Sequence, residues 1–123
     1  MMKRFLAGAA VAAGLSACAN PQDQPRPDVW TVNYNVGFDS MVACLAAPAP
    51  AGYQVYPPGY PEAGMARIVF MPANTPQARS EYVVLKMVGN VSQVSWRRFG
   101  QVGGYDWLDN EARRRADNCS RNL

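Results

Sequence analysis

A glycine–asparagine pair between two runs of alternating residues is the feature that most constrains how this chain folds. Gly89 and Asn90 separate two segments that are rich in strand-forming side chains. A two-residue turn that begins with glycine has a twist that suits an antiparallel hairpin. Pairing across this turn predicts a core face on which the opposing residues are Val83 and Trp96, Leu85 and Val94, and Met87 and Ser92. The solvent face then carries Tyr82, Arg97, Lys86 and Gln93.

Strand and helix signals also precede this hairpin. Residues 29–36 place apolar side chains at every second position, which predicts a strand with one buried face. Phe38 and Asp39 then predict a short helix with Asp39 as its N-cap. Pro48 and Pro50 are expected to end that helix.

The middle of the chain is rich in proline and glycine. Tyr53 to Tyr56 predicts a short strand, and the residues from there to Gly64 predict a loop. Residues 65–71 predict a further strand, because Ile-Val-Phe within this segment favours β structure.

A final helix is predicted from Asp106 onward, with Asp106 as its cap. Its narrow apolar stripe consists of Leu108, Ala112, Ala116 and Cys119. Together these elements predict an α+β fold, in which an antiparallel sheet of about four or five strands carries two helices packed on one face.

The N-terminal residues have the three-part order of an export signal. A short basic start precedes an apolar run over residues 5–15, which is too short to span a bilayer. Small residues and Cys18 follow this run. Residues 15–18, Leu-Ser-Ala-Cys, resemble the lipobox of bacterial lipoproteins, in which the cysteine sulfur receives a diacylglyceryl group before the signal is cleaved.

The resemblance to lipoproteins implies a cleaved signal at residues 1–17 and lipid on the thiol and amine of Cys18. Ala19 follows the cysteine, whereas an aspartate at this position retains Gram-negative lipoproteins at the inner membrane. The resemblance therefore implies an envelope protein on the periplasmic side of the outer membrane. Residues 18–28 are proline-rich and predict a flexible tether, and residues 29–123 predict one small domain.

The expected cleavage changes the charge of the protein. Removing seventeen of the 123 residues leaves 106, with ten basic side chains, nine acidic ones and a net charge of +1. Scattered arginines on a nearly neutral exported domain argue against a nucleic-acid partner. The chain contains no histidine, which excludes an imidazole base, a Ser-His or Cys-His pair and a His-based zinc site. We expect no metal and no cofactor.

Lipidation of Cys18 would leave two cysteines, Cys44 and Cys119, in an oxidising compartment. A disulfide between them is the prediction, and two buried free thiols are the alternative. The 75-residue separation of these cysteines does not favour a redox-active pair.

Two groups of residues are candidates for function. Tyr53, Tyr56, Tyr60 and Arg97 are candidate partner-binding residues, since tyrosine and arginine are common in interfaces. The alternative interpretation of the tyrosine segment is a stiff connection, and that of the arginines is a solvated charged face. Asp106, Asp109 and Glu111 form an acidic cluster that suits acid–base chemistry, although a helix N-terminus also favours acidic residues.

These observations predict a non-enzymatic membrane-anchored envelope lipoprotein with an interaction module, which meets a periplasmic protein or peptidoglycan. One alternative is a periplasmic inhibitor that inserts its tyrosine loop into a wall-cleaving enzyme. A further alternative is an enzyme that uses the acidic cluster, with catalysis by carboxylates alone.

Overall fold

The computed structural model describes residues 28–100 and 103–121. The predicted signal, the lipid site at Cys18 and the tether up to residue 27 lie outside these residues. In chain order the elements are β1 (Trp30–Tyr34), α1 (Phe38–Leu45), β2 (Tyr53–Val55), β3 (Gly59–Glu62), β4 (Met65–Pro72), β5 (Ser80–Lys86), β6 (Ser92–Arg98) and α2 (Asp106–Arg121). A single 3-10 turn, Pro76–Ala78, joins β4 to β5.

The strands form one antiparallel sheet in the order β1-β6-β5-β4-β2, and β3 also pairs with β4. The predicted α+β class, antiparallel sheet and two helices on one face are confirmed. The sheet has six strands in the described residues, which is more than the four or five predicted. The additional strand is β3, which lies in the segment predicted as a loop. β3 is exposed along its whole length, so a proline at Pro61 is tolerated at this edge of the sheet.

The predicted hairpin is present, but its register was wrong by one residue. Tyr82 lies opposite Trp96 and Val84 opposite Val94, and the strands end at the pair Lys86 and Ser92. The connection is therefore five residues long, with the Met87 amide bonded to the Val91 carbonyl at 3.1 Å. A shift of one residue exchanges the two faces of a strand.

The core face of β5 consequently carries Tyr82 and Val84 instead of Val83 and Leu85. Tyr82 is fully buried, although the predicted register placed it on the solvent face. The Tyr82 hydroxyl donates a hydrogen bond to the Ala112 carbonyl of α2 at 2.8 Å, so this hydroxyl is not left unpaired when Tyr82 is buried.

Both helices cover this face of the sheet. The helices supply Met41, Val42, Leu45, Leu108, Ala112, Ala116 and Cys119 to the core, and the strands supply Tyr34, Ala66, Ile68, Phe70, Tyr82, Val84, Val94 and Trp96. The predicted apolar stripe of α2 is therefore confirmed. The predicted disulfide is also present and joins Cys44 of α1 to Cys119 of α2.

The helix starts differ from the predicted caps. The N-cap of α1 is Gly37 and no side chain caps this helix, so the assignment of Asp39 was wrong. A Cβ atom at Gly37 would lie 3.0 Å from the Asn90 side-chain oxygen, and this close approach favours glycine. Asp39 lies in the first turn, where its charge still favours the helix dipole. Asp106 is the first residue of α2 instead of its cap.

Among the described residues, neither helix has the length and apolar character needed to cross a membrane.

Candidate functional site

The predicted partner-binding residues do not form one surface. Tyr53 packs on the core, with its ring stacked 5.1 Å from that of Phe70. Tyr60 lies on β3 and is 59% exposed. Arg97 lies on the face of the sheet opposite the helices, where its Nε donates to Asp28 at 2.6 Å. The tyrosine segment contains two strands, β2 and β3, and each of them pairs with β4, which weakens the case for an insertion loop.

Tyr56 belongs to a different group of side chains, which the sequence did not indicate. The guanidinium of Arg79 lies 5.5 Å from the ring centroid of Tyr56 and 5.5 Å from that of Phe99. The Phe99 amide also donates to the Arg79 carbonyl at 3.0 Å. This arrangement holds a cation between two partly exposed aromatic rings.

A second pair of aromatic side chains continues this surface at the start of α2. Arg79 and Tyr105 border the same small recess, and the rings of Tyr105 and Trp107 lie 6.1 Å apart. Trp107 is 48% exposed. We call the surface formed by Tyr56, Arg79, Phe99 and Trp107 the aromatic end of the domain. It lies where β6 finishes and β5 and α2 begin.

The sequence contained a partial signal for this surface. Trp107 immediately precedes Leu108 and so falls outside the helical stripe that contains Leu108, Ala112 and Ala116. An aromatic residue outside the buried stripe of a helix is expected to face solvent or a partner. Arg79 and Phe99 are brought together by the pairing of β5 with β6. The sequence predicted this hairpin but did not indicate a contact between the residues beyond its open end.

The three acidic residues of the predicted cluster do not share one partner, because Asp106 and Asp109 both contact Arg98 whereas Glu111 contacts Arg114. Asp109 is 7% exposed, and its carboxylate accepts hydrogen bonds from Trp96 Nε1 at 2.8 Å and from Arg98 Nε at 2.9 Å. Asp106 also accepts from Arg98, at 3.1 Å. Glu111 instead pairs with Arg114 on its own helix. Asp109 therefore joins α2 to β6, and the three carboxylates do not line one pocket.

Asp117 forms a second link between α2 and the sheet. Its Oδ1 accepts from the Tyr34 hydroxyl at 2.7 Å and from Arg113 Nε at 3.1 Å. Burial raises the pKa of Tyr34, and the hydrogen bond to Asp117 raises it further. Burial also acts to raise the pKa of Asp117, but the bonds from Tyr34 and Arg113 outweigh it and lower that pKa overall. The pair thus holds a neutral phenol against a carboxylate.

A concave surface lies beside the disulfide. This cleft, of about 320 Å³, is lined by Cys44, Ala47, Pro50, Glu111, Arg114, Arg115, Asn118 and Cys119; we call it the disulfide cleft. The Arg114 side chain is 68% exposed at its rim. Arg115 is engaged with α1 and its exit, since its Nη2 donates to the carbonyls of Leu45 and Ala47 at 3.3 and 2.7 Å.

The disulfide cleft combines an apolar lining with charged groups at the rim. Such a surface suits a short segment of another molecule, because Arg114 has guanidinium N–H groups that its pairing with Glu111 does not use and that can bind a further carboxylate. Burial raises the pKa of the nearby Tyr53 phenol, and the charge of Glu111 adds to this effect. Tyr53 therefore remains a neutral hydrogen-bonding group beside the cleft near neutral pH.

No protein-family model matches the chain, and no curated protein matches it.

Proposed function

We propose that this protein is a non-enzymatic lipoprotein of the bacterial cell envelope, which presents its α+β domain to a periplasmic protein or to peptidoglycan. The observation that carries the proposal is the Leu-Ser-Ala-Cys sequence at residues 15–18, behind a basic start and a short apolar run. Cys18 is the proposed lipid attachment site. Lipid chains of this kind, two or more together, give stable membrane attachment.

The disulfide supports the proposed compartment. Bonds between cysteines persist in the periplasm and are uncommon in the bacterial cytosol. The Cys44–Cys119 bond joins the two helices that cover the core. A structural disulfide in this position adds stability to an exported domain.

The roles of the acidic residues support binding over catalysis. Asp109 is committed to Trp96 and Arg98, and Asp117 is committed to Tyr34 and Arg113. A carboxylate that accepts bonds from buried or cationic donors is held in place as a structural ion, which leaves it poorly placed to transfer a proton to a substrate.

The disulfide cleft is the proposed partner site. It is concave, it contains the exposed Arg114 side chain, and Tyr53 lies beside it. An envelope protein segment or a peptidoglycan peptide with a free carboxylate has the matching chemistry.

The anchor is tested by producing the full chain in a Gram-negative host and measuring the intact mass of the membrane-extracted product. The expected mass corresponds to loss of residues 1–17 and gain of lipid. Cys18→Ser is expected to abolish the lipid and release the protein from membranes. Ala19→Asp is the matched variant, since it should keep the lipid but move the protein from outer to inner membrane fractions. An unlipidated wild-type product refutes the proposal.

The partner site is tested by co-sedimentation of the protein with isolated peptidoglycan and by cross-linking in cells. Arg114→Glu reverses the exposed charge at the disulfide cleft and is expected to reduce recovery severalfold. Lys86→Glu is the matched control, because Lys86 is exposed on β5, outside the cleft lining. Equal recovery of both variants would exclude the cleft as the contact surface.

A further inference from the structure

We propose that the aromatic end, defined by Tyr56, Arg79, Phe99 and Trp107, rests against the bilayer that holds the lipidated Cys18. This inference rests on the proposed lipoprotein function and adds a second membrane contact to it. The occupant is a phospholipid surface, which the aromatic rings and the arginine would contact at the level of the headgroups.

The first observation is the exposure of large apolar side chains at one end of the domain. Val29 is 45% exposed, Tyr56 37%, Phe99 42% and Trp107 48%. Folded monomeric domains seldom collect such side chains at one place, and those that do often use them to contact a partner or a membrane. Tryptophan and tyrosine prefer the interface between the apolar layer and water, where the ring is buried and the polar atom is hydrated.

The second observation is the charge at this end. Arg79 forms no ion pair within residues 28–100 and 103–121 and lies between the rings of Tyr56 and Phe99. A guanidinium held in this way keeps donors available for phosphate oxygens. The combination of aromatic rings with an unpaired cation matches a phospholipid surface better than it matches an apolar protein groove.

The third observation is the point at which the N-terminal segment joins the domain. Val29 N donates to the Trp96 carbonyl at 2.7 Å, and Asp28 is bonded to Arg97 at 2.6 Å. The chain therefore enters beside the last residues of β6, which lead directly into Phe99. The tether and the aromatic end share one end of the sheet.

The length of the tether sets how far the domain can move from the anchor. Ten residue steps separate Cys18 from Asp28, and they cannot span more than about 35 Å. A domain of this size has a diameter of about 32 Å. An attachment whose greatest span is close to the diameter of the domain keeps the attached end near the bilayer, and the aromatic end is then the surface that meets it.

The opposite end of the sheet provides an internal control. The hairpin tip carries Val88, which is 94% exposed, and it lies at the far end of β5 and β6 from Phe99. If the aromatic end faces the bilayer, the hairpin tip faces the periplasm. Apolar attraction to lipid without a defined orientation would bury both the aromatic end and the hairpin tip.

The experiment uses the full-length lipidated protein in vesicles of phosphatidylethanolamine and phosphatidylglycerol, with its mass measured first. Acrylamide quenching of Trp107 is obtained as the difference between the wild-type protein and Trp107→Phe. The matched variant, Trp107→Phe with Val88→Trp, moves the exposed indole to the hairpin tip. The soluble mature chain with Cys18→Ser gives the quenching without a membrane.

In vesicles, the quenching of Trp107 is expected to fall severalfold and its emission to shift to shorter wavelength, while the indole at position 88 stays as accessible as in solution. Lipidated protein in which Trp107 remains fully quenched overturns the inference and leaves the anchor intact. Equal protection at both positions also overturns it. A mass without lipid refutes the anchor itself, and the inference fails with it.

Discussion

Replacement of Asp109 by alanine would test the link between α2 and β6. The carboxylate accepts from Trp96 Nε1 at 2.8 Å, from Arg98 Nε at 2.9 Å and also from Arg98 Nη2. Trp96 is fully buried, so Asp109→Ala leaves its indole N–H without an acceptor. Breaking a buried ion pair costs about 3–5 kcal/mol, and an unsatisfied buried donor costs about 1–3 kcal/mol.

The two effects do not add in full. The Arg98 side chain is 22% exposed and keeps its contact with Asp106, so water and Asp106 recover part of the loss. We therefore expect Asp109→Ala to lower the free energy of unfolding by about 3 kcal/mol. Asp109→Asn keeps an oxygen acceptor for the indole and should lower it by only about 1–2 kcal/mol.

The assay is urea unfolding of the soluble mature chain with Cys18→Ser, followed by tryptophan fluorescence. Asp106→Ala is the matched control, because that side chain is 94% exposed and shares only Arg98; it should change stability little. A loss of less than about 1 kcal/mol for Asp109→Ala would show that the network contributes no more than an ordinary hydrogen bond. It would then restore Asp109 as a candidate for chemistry.

Three further predictions concern the core and the hairpin. Replacing both Cys44 and Cys119 by serine removes a bridge that spans 75 positions. The double variant should have a free energy of unfolding in urea about 4–5 kcal/mol lower than that of the wild type, and adding reductant to the variant should lower it no further. Burial raises the pKa of Tyr82, so the unfolded chain ionises first above about pH 10 and stability should fall there. Tyr82→Phe should reduce this loss of the free energy of unfolding at alkaline pH, which urea unfolding at a series of pH values measures. An unchanged dependence on pH would contradict the prediction. Gly89 has a positive φ of 71°, so Gly89→Ala should lower the melting temperature by an amount equivalent to about 1 kcal/mol, whereas Gly59→Ala, in open space, should not.

The alternation of side chains was sufficient to predict the hairpin and the faces of β1, but it could not predict the hairpin register. Register depends on the length of the connection, and Gly-Asn fits both a two-residue turn and the five-residue connection that is present. A buried position for Tyr82 would have fixed the hairpin register, but that position could be predicted only if the hydrogen bond to Ala112 had been known. That bond joins residues thirty positions apart and leaves no local pattern.

Local sequence was also insufficient for the functional surfaces. Helix spacing correctly placed Cys119 in the buried stripe, and the cysteine count correctly predicted its disulfide with Cys44. The acidic residues near the start of α2 suggested helix capping, because a sequence shows only the neighbours on the same helix. The partners of Asp109, Trp96 and Arg98, come from β6, and the contact of Arg79 with Phe99 also requires β5 and β6 to be paired.

The disulfide has a consequence for the order in which the domain matures. Cys119 follows the six strands of the described residues, so oxidation with Cys44 waits until this sheet has emerged from the ribosome or a translocation channel. Until α2 arrives, the side of the sheet that carries Tyr82 and Trp96 lacks one of the two helices that cover it. The nascent chain therefore passes through a reduced stage with an uncovered aromatic surface, and a chaperone or thiol oxidase would find its substrate at that stage.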